Sequence, residues 1–170
     1  MVHPLVEQLW FARAEFRRGL EGVPEEDGSV RLLPVNSIGW IVAHLAGQER
    51  RYWLIFPRGL SSIAPELDEW GAYGRPATTP PLSAAWATWH AVTQEADVYL
   101  STLTEASMSE RFIVNGQPRS ETIGTMLLRT TYHYWFHNGE ASAIRQQLGH
   151  PNLPEFVGDL GIEAPYRPVP

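Results

Sequence analysis

The sequence predicts an all-α protein, a four-helix bundle, on three observations. Four stretches carry apolar residues at three- and four-residue spacing, the mark of a helix with one buried face. Capping and stop residues bound most of those stretches. The chain has 170 residues, 44% of them hydrophobic and including seven Trp, six Tyr and six Phe, enough for one sizeable core, so a single domain over 1–170 is expected.

The first helix is expected over about 3–20, where Leu5, Leu9, Ala12, Phe16 and Leu20 recur at helical spacing and Gly19 and Gly22 lie near the end. The linker that follows, EGVPEEDGSVRLLP, is turn-rich and acidic, and its charges are expected to be solvated and without function. A second helix, about 37–56, is capped by Asn36 or Ser37, buries Ile38, Ile41, Val42, Leu45, Tyr52 and Phe56, and ends at Pro57. A long connection rich in Pro, Gly, Ser and Thr runs to Pro81, with Trp70 and Tyr73 as anchors; it is long enough to cover one mouth of a pocket.

The third helix, about 81–103, is expected to be capped by Thr79, with a proline in its first turn and Leu82, Trp86, Trp89, Ala96, Tyr99 and Leu103 buried. The segment RFIVNGQPRS, with an Asn115-Gly116 turn, forms a short hairpin or loop. A fourth helix, about 120–148, starts at Ser120 and stops at Gly149 and Pro151. The tail, 150–170, has Pro at five positions and apolar points at Leu153, Phe156, Val157, Leu160 and Tyr166; it wraps the surface or joins a dimer contact.

The fourth helix carries the chemistry. His133 and His137 lie in its apolar stripe, and residues four apart differ by roughly 40° in direction and about 6 Å in height, so both imidazoles can aim at one atom. Two readings stay open: a two-ligand metal seat, or two core histidines bonded to neighbours. His44, at the edge of the second helix's apolar face, is the natural third ligand, because zinc and similar ions accept three imidazoles and leave a position open. Glu140 lies within about 20° of His133 on the helical wheel and either orients a ligand histidine, acts as a general base, or is a surface carboxylate. Gln48, one turn beyond His44, is a candidate pocket residue. An aromatic cluster of Trp40, Tyr52, Trp53, Tyr132, Tyr134, Trp135 and Phe136 is expected to be mostly core, with one or two members, Trp40 or Tyr134 among them, lining a pocket. His90 falls on a solvated face and His150 in a loop, so neither joins the site.

Composition excludes several classes. There is no Cys, hence no disulfide framework, thiolate metal site or catalytic thiol of the chain's own. There is no Lys, which removes Schiff-base chemistry. The net charge is −6 and the arginines are scattered, so nucleic acid is not an expected partner. No apolar run is long enough for a membrane span, and the N-terminus does not read as a secretory signal, so a cytoplasmic location is expected. A zincin motif would need Glu directly after His133, where Tyr134 stands; no histidine has Glu three positions before it, as carboxylate-bridged di-iron bundles require.

The lone histidine of SIGWIVAHLAGQERRYW and the His-x-x-x-His pair of YHYWFHNGEASAIRQQLGH resemble the signature regions of the DinB-like (DinB/YfiT-like) superfamily of four-helix bundles, over residues 1 to about 155. The resemblance implies that His44, His133 and His137 are ligands of one divalent ion per chain, zinc or nickel, and that the protein is a homodimer. It also implies a low-molecular-weight thiol such as mycothiol, bacillithiol or glutathione as cosubstrate beside an electrophilic substrate. The leading expectation is a metal-dependent thiol S-transferase. A hydrolase using metal-bound water and a non-enzymatic, stress-associated metal-binding or scaffold protein are the alternatives.

Overall fold

The computed structural model describes residues 2–72, 74–155 and 157–167. Tyr73 and Phe156, expected as a loop anchor and a tail contact, lie outside the described residues. In chain order the elements are α1 (Pro4–Gly19), α2 (Glu25–Gly28), α3 (Ile38–Glu49), a π-helical stretch Arg50–Ile55, α4 (Phe56–Arg58), a 3₁₀ turn Pro65–Asp68, α5 (Leu82–Leu100), α6 (Glu105–Met108), β1 (Ile113–Val114), β2 (Gln117–Pro118), α7 (Ile123–Gln147) and α8 (Leu160–Glu163). The all-α class is borne out: among the described residues the sheet is one two-stranded ladder. No helix among them is long and apolar enough to cross a membrane.

The chain divides into two compact units, one of residues 1–21 with 101–170 and the other of Gly22–Leu100. In the first, α1 packs along α7. His3 caps α1 by accepting the Leu5 N–H on Nδ1. Val6, Leu9 and Phe16 are fully buried, and Phe16 meets Tyr134 edge-on at 5.5 Å. A Cβ on Gly19 would stand 2.4 Å from the Asn138 side-chain oxygen, so the helices approach closely there. The tail is tied to α1 by the buried carboxylate of Glu15, which accepts from Arg18 and from the Gly158 N–H at 2.9 Å. Asn115 and Gly116, both at positive φ, make the hairpin turn between β1 and β2.

The long helix α7 begins at Ile123, later than Ser120 would place it. Thr122 is the cap, its hydroxyl accepting the Thr125 N–H at 3.2 Å, while the Ser120 carbonyl accepts from Arg111. At the other end the buried Arg145 donates to the Gly19 carbonyl at 2.5 Å and to His150 Nδ1 at 3.2 Å. Burial lowers the Arg145 pKa from its ordinary value.

In the second unit α3 packs against α5. Ser37 caps α3 by accepting the Trp40 N–H. Pro57 does not end this helical run as expected. The stretch before it has already widened to π geometry, with the Phe56 N–H bonding the Arg51 carbonyl, so proline falls in the first turn of α4, where a missing donor costs little. Gly59, left-handed at φ 67°, makes the stop. The expected Thr79 cap on α5 is replaced by Glu25, whose carboxylate accepts from the Ser83 N–H at 2.9 Å and from its hydroxyl. One charge of the acidic linker therefore closes a helix end.

The connection after α4 is held from α3's side by the buried guanidinium of Arg50. It donates to the Ile63 carbonyl at 2.6 Å, to the Ser61 carbonyl and to Asp68 at 2.8 Å. Thr88 of α5 adds a bond to Glu66 at 2.8 Å.

Candidate metal centre

Two rings on α7 form the first part of the site. Its apolar positions turn one face inward, burying Met126, Leu127, Thr130, Tyr134, Ala141 and Ile144 completely or nearly so, and the helical period places His133 and His137 on adjoining turns of the same side. Their Nε2 atoms are 3.0 Å apart and their rings meet edge to face at 4.6 Å. His137 is buried, and its Nδ1 lies 2.7 Å from the Glu140 carboxylate. A carboxylate accepts, so Nδ1 carries a proton, and in the neutral ring the lone pair is on Nε2.

His44 sits in α3, half-buried. Trp40, one turn earlier, stacks on its ring at 4.4 Å and 11° between planes. Its Nδ1 is 2.6 Å from the Gly71 carbonyl oxygen, which can only accept. Nδ1–H therefore points at Gly71, and Nε2 is the nitrogen that the neutral ring would present to an ion.

His44, His133 and His137 make a group that could hold a metal ion: each offers one ring nitrogen, and these atoms lie within 4.8 Å of one another. The donor set fits such an ion. Nitrogens bound tetrahedrally at about 2.0–2.1 Å stand about 3.3 Å apart, and the Nε2 pair on α7 is already near that separation. Three imidazole ligands would leave one position of a four-coordinate ion for an exchangeable ligand. Three neutral imidazoles add no charge of their own to offset the ion's two positive charges, which favours an anionic fourth ligand.

The other expected residues fall as follows. Trp40 is buried and touches the site through its stack on His44. Gln48 is half-buried on α3, one turn beyond His44. Tyr134 is fully buried with its ring against Phe16. The aromatic cluster is less uniformly core than expected. Trp53 is fully buried, but Tyr132 is 64% and Phe136 is 70% exposed, because positions 132 and 136 lie on the side of α7 away from its packed stripe. His90 is exposed on α5. Gly71 was not expected; one of several glycines in a connection, 27 residues from His44, gives no local signal of such a contact.

A family model described as Mycothiol-S-transferase matches residues 4–149, a span that contains the three histidines, Glu140 and Gly71. No curated protein matches the chain significantly.

Proposed function

Because the chain belongs to the mycothiol-S-transferase family, whose model matches most of its length, we propose that it is a divalent-metal-dependent enzyme that joins a low-molecular-weight thiol to an electrophile. The observation that carries this reading is the group of three imidazoles, two with their Nδ1 atoms already occupied by acceptors, offering Nε2 within reach of one ion. A divalent ion held there would supply a Lewis acid that stabilises the thiolate of a coordinated thiol.

The chain's own residues set the stage for that chemistry. With no cysteine in the sequence, the reacting sulfur is the cosubstrate's, and mycothiol is the thiol the family description supports. The Glu140 carboxylate and the Gly71 carbonyl accept hydrogen bonds from the Nδ1–H groups of His137 and His44, so that Nε2 is the nitrogen each neutral ring would present to an ion. In the reaction the S–H proton is released to solvent, a C–S bond forms, and the bond to the leaving group breaks with its electron pair going to that group. Imidazole donors suit zinc and nickel alike, and both belong to this reading.

A homodimer is part of the same proposal. It is supported by Leu128, Tyr132 and Phe136, which at four-residue spacing leave an exposed apolar strip along α7. A cytoplasmic setting belongs with it too, since a thiol cosubstrate needs a reducing compartment.

The deciding experiment compares wild type with His44→Ala and His137→Ala, each checked for folding. Metal content is measured first, then consumption of an alkyl or aryl halide with mycothiol, with glutathione and with no thiol. About one equivalent of metal in wild type, loss of it in both variants, and turnover that needs both metal and thiol are expected. Thiol-independent turnover would make the protein a hydrolase, and bound metal with no turnover would make the ion a staple.

A further inference from the structure

We propose that the backbone carbonyl of Gly71 is a positioning group for the metal centre, which selects the His44 tautomer and aims its Nε2. The inference rests on the three-histidine reading above and adds a residue from the long connection to the machinery. Nothing in it depends on which metal or thiol is used.

Three observations converge on Gly71. Its oxygen is 2.6 Å from His44 Nδ1, a short bond to an atom that must then be a donor. The approach is available to glycine alone: an added Cβ would stand 2.6 Å from the His44 amide nitrogen, 2.9 Å from its Cα and 3.0 Å from the Ala43 carbonyl carbon. All three are backbone atoms of α3 and cannot swing aside. The residue also holds φ +64°, in the left-handed region where a side chain is strained.

The carbonyl is held in place by bonds within the connection. Arg50 fastens the connection at Ile63, Ser61 and Asp68, Thr88 holds Glu66, and the Trp70 N–H bonds the Glu66 carbonyl at 2.9 Å, one residue short of Gly71. Trp40 meanwhile sets the plane of the imidazole by stacking on it. Stack and carbonyl together leave the ring one orientation and one tautomer. A ring nitrogen donating to a carbonyl behind it makes the opposite nitrogen a better and better-aimed ligand, and loss of such a partner typically weakens metal binding about 10- to 100-fold.

The protein contains its own control. Gly74, three residues on, also has positive φ, +76°, but a Cβ there would meet nothing within 4 Å. Gly71→Ala and Gly74→Ala therefore carry the same kind of backbone strain in the same connection, and only the first disturbs His44.

The test is zinc affinity of the full chain by competition with a chromophoric chelator for wild type, Gly71→Ala and Gly74→Ala. It is joined by long-range proton–nitrogen NMR of the imidazoles of metal-free wild type, assigned with His44→Ala. Zinc binding about 10- to 100-fold weaker in Gly71→Ala, near wild-type binding in Gly74→Ala, and an Nδ1–H tautomer at His44 are expected. Equal affinities in the two glycine variants, or an Nε2–H tautomer at His44, would overturn the proposal. Wild type that binds neither zinc nor nickel sinks the metal reading instead, and the tautomer then judges the Gly71 contact by itself. The tautomer also decides the matter if Gly71→Ala fails to fold.

Discussion

The Glu140 carboxylate lies 2.7 Å from Nδ1 of His137, three residues earlier on α7. The helical wheel aligns Glu140 with His133, seven residues back, yet the pairing is with His137. Long side chains on a helix lean toward its N-terminus and over the preceding turn, so a residue meets the one three or four before it sooner than the one it eclipses two turns away. His137 thereby has a partner on Nδ1, opposite the Nε2 that would face an ion in the proposed site, as in the carboxylate–imidazole arrangement that orients metal-bound histidines.

Glu140→Gln should leave metal stoichiometry at saturation unchanged while weakening affinity by about tenfold or more and lowering turnover. The amide can still accept from Nδ1 through its oxygen but no longer carries the charge that strengthens the bond. Titration with zinc, read beside kcat, checks this. Unchanged affinity and turnover would return Glu140 to the role of a surface carboxylate.

The Glu15 carboxylate ties α1 to the tail through the Gly158 N–H. The Arg18 guanidinium hydrogen-bonded to it holds its carboxyl below the usual glutamate value of 4.5, helped by the Gly158 N–H and opposed by burial. A group whose folded pKa is depressed contributes stability above its unfolded pKa and loses it as pH falls through the folded one. Wild type should therefore lose part of its stability below about pH 4.5. Glu15→Gln should melt lower at pH 7, by the equivalent of about 1–3 kcal/mol, and show a flatter acid limb. Thermal melts of both proteins between pH 3 and 7 test it, and parallel curves would count against the account.

Two glycines on α3 should respond oppositely to alanine. A Cβ on Gly39 would sit 2.4 Å from the Pro80 carbonyl oxygen and 3.1 Å from that of Gly28, so Gly39→Ala should destabilise by about 1–3 kcal/mol through overpacking. Gly47 faces nothing within 4 Å, and Gly47→Ala should stabilise by about 0.5–1 kcal/mol through helix propensity. Urea unfolding gives both signs in one experiment.

The strip of Leu128, Tyr132 and Phe136 predicts a dimer that charge would break. Tyr132→Glu with Phe136→Glu should shift the protein from dimer to monomer by light scattering with little loss of melting temperature, since neither ring is in the core. A wild-type monomer, or an unchanged dimer, would separate the strip from assembly.

Local information was enough for much of this molecule. Apolar spacing, the Ser37 cap and the breaks at glycine depend on residues within a turn or two of each other, so the helical segments and the facing pair His133 and His137 were legible in the chain. His44 stood out at the edge of the second helix's apolar face, and the resemblance of two short stretches supplied the family. The rest depended on contacts between residues remote in sequence. Glu25 caps a helix 58 residues away, Pro57 is accommodated by a π turn, and Tyr132 and Phe136 stay exposed although their composition reads as core. Above all, which nitrogen His44 presents is decided by a carbonyl 27 residues along the chain. A backbone carbonyl exists at every position, so no residue type announces it; only the folded connection, drawn in by Arg50 and stripped of a Cβ at Gly71, brings that oxygen to the ring.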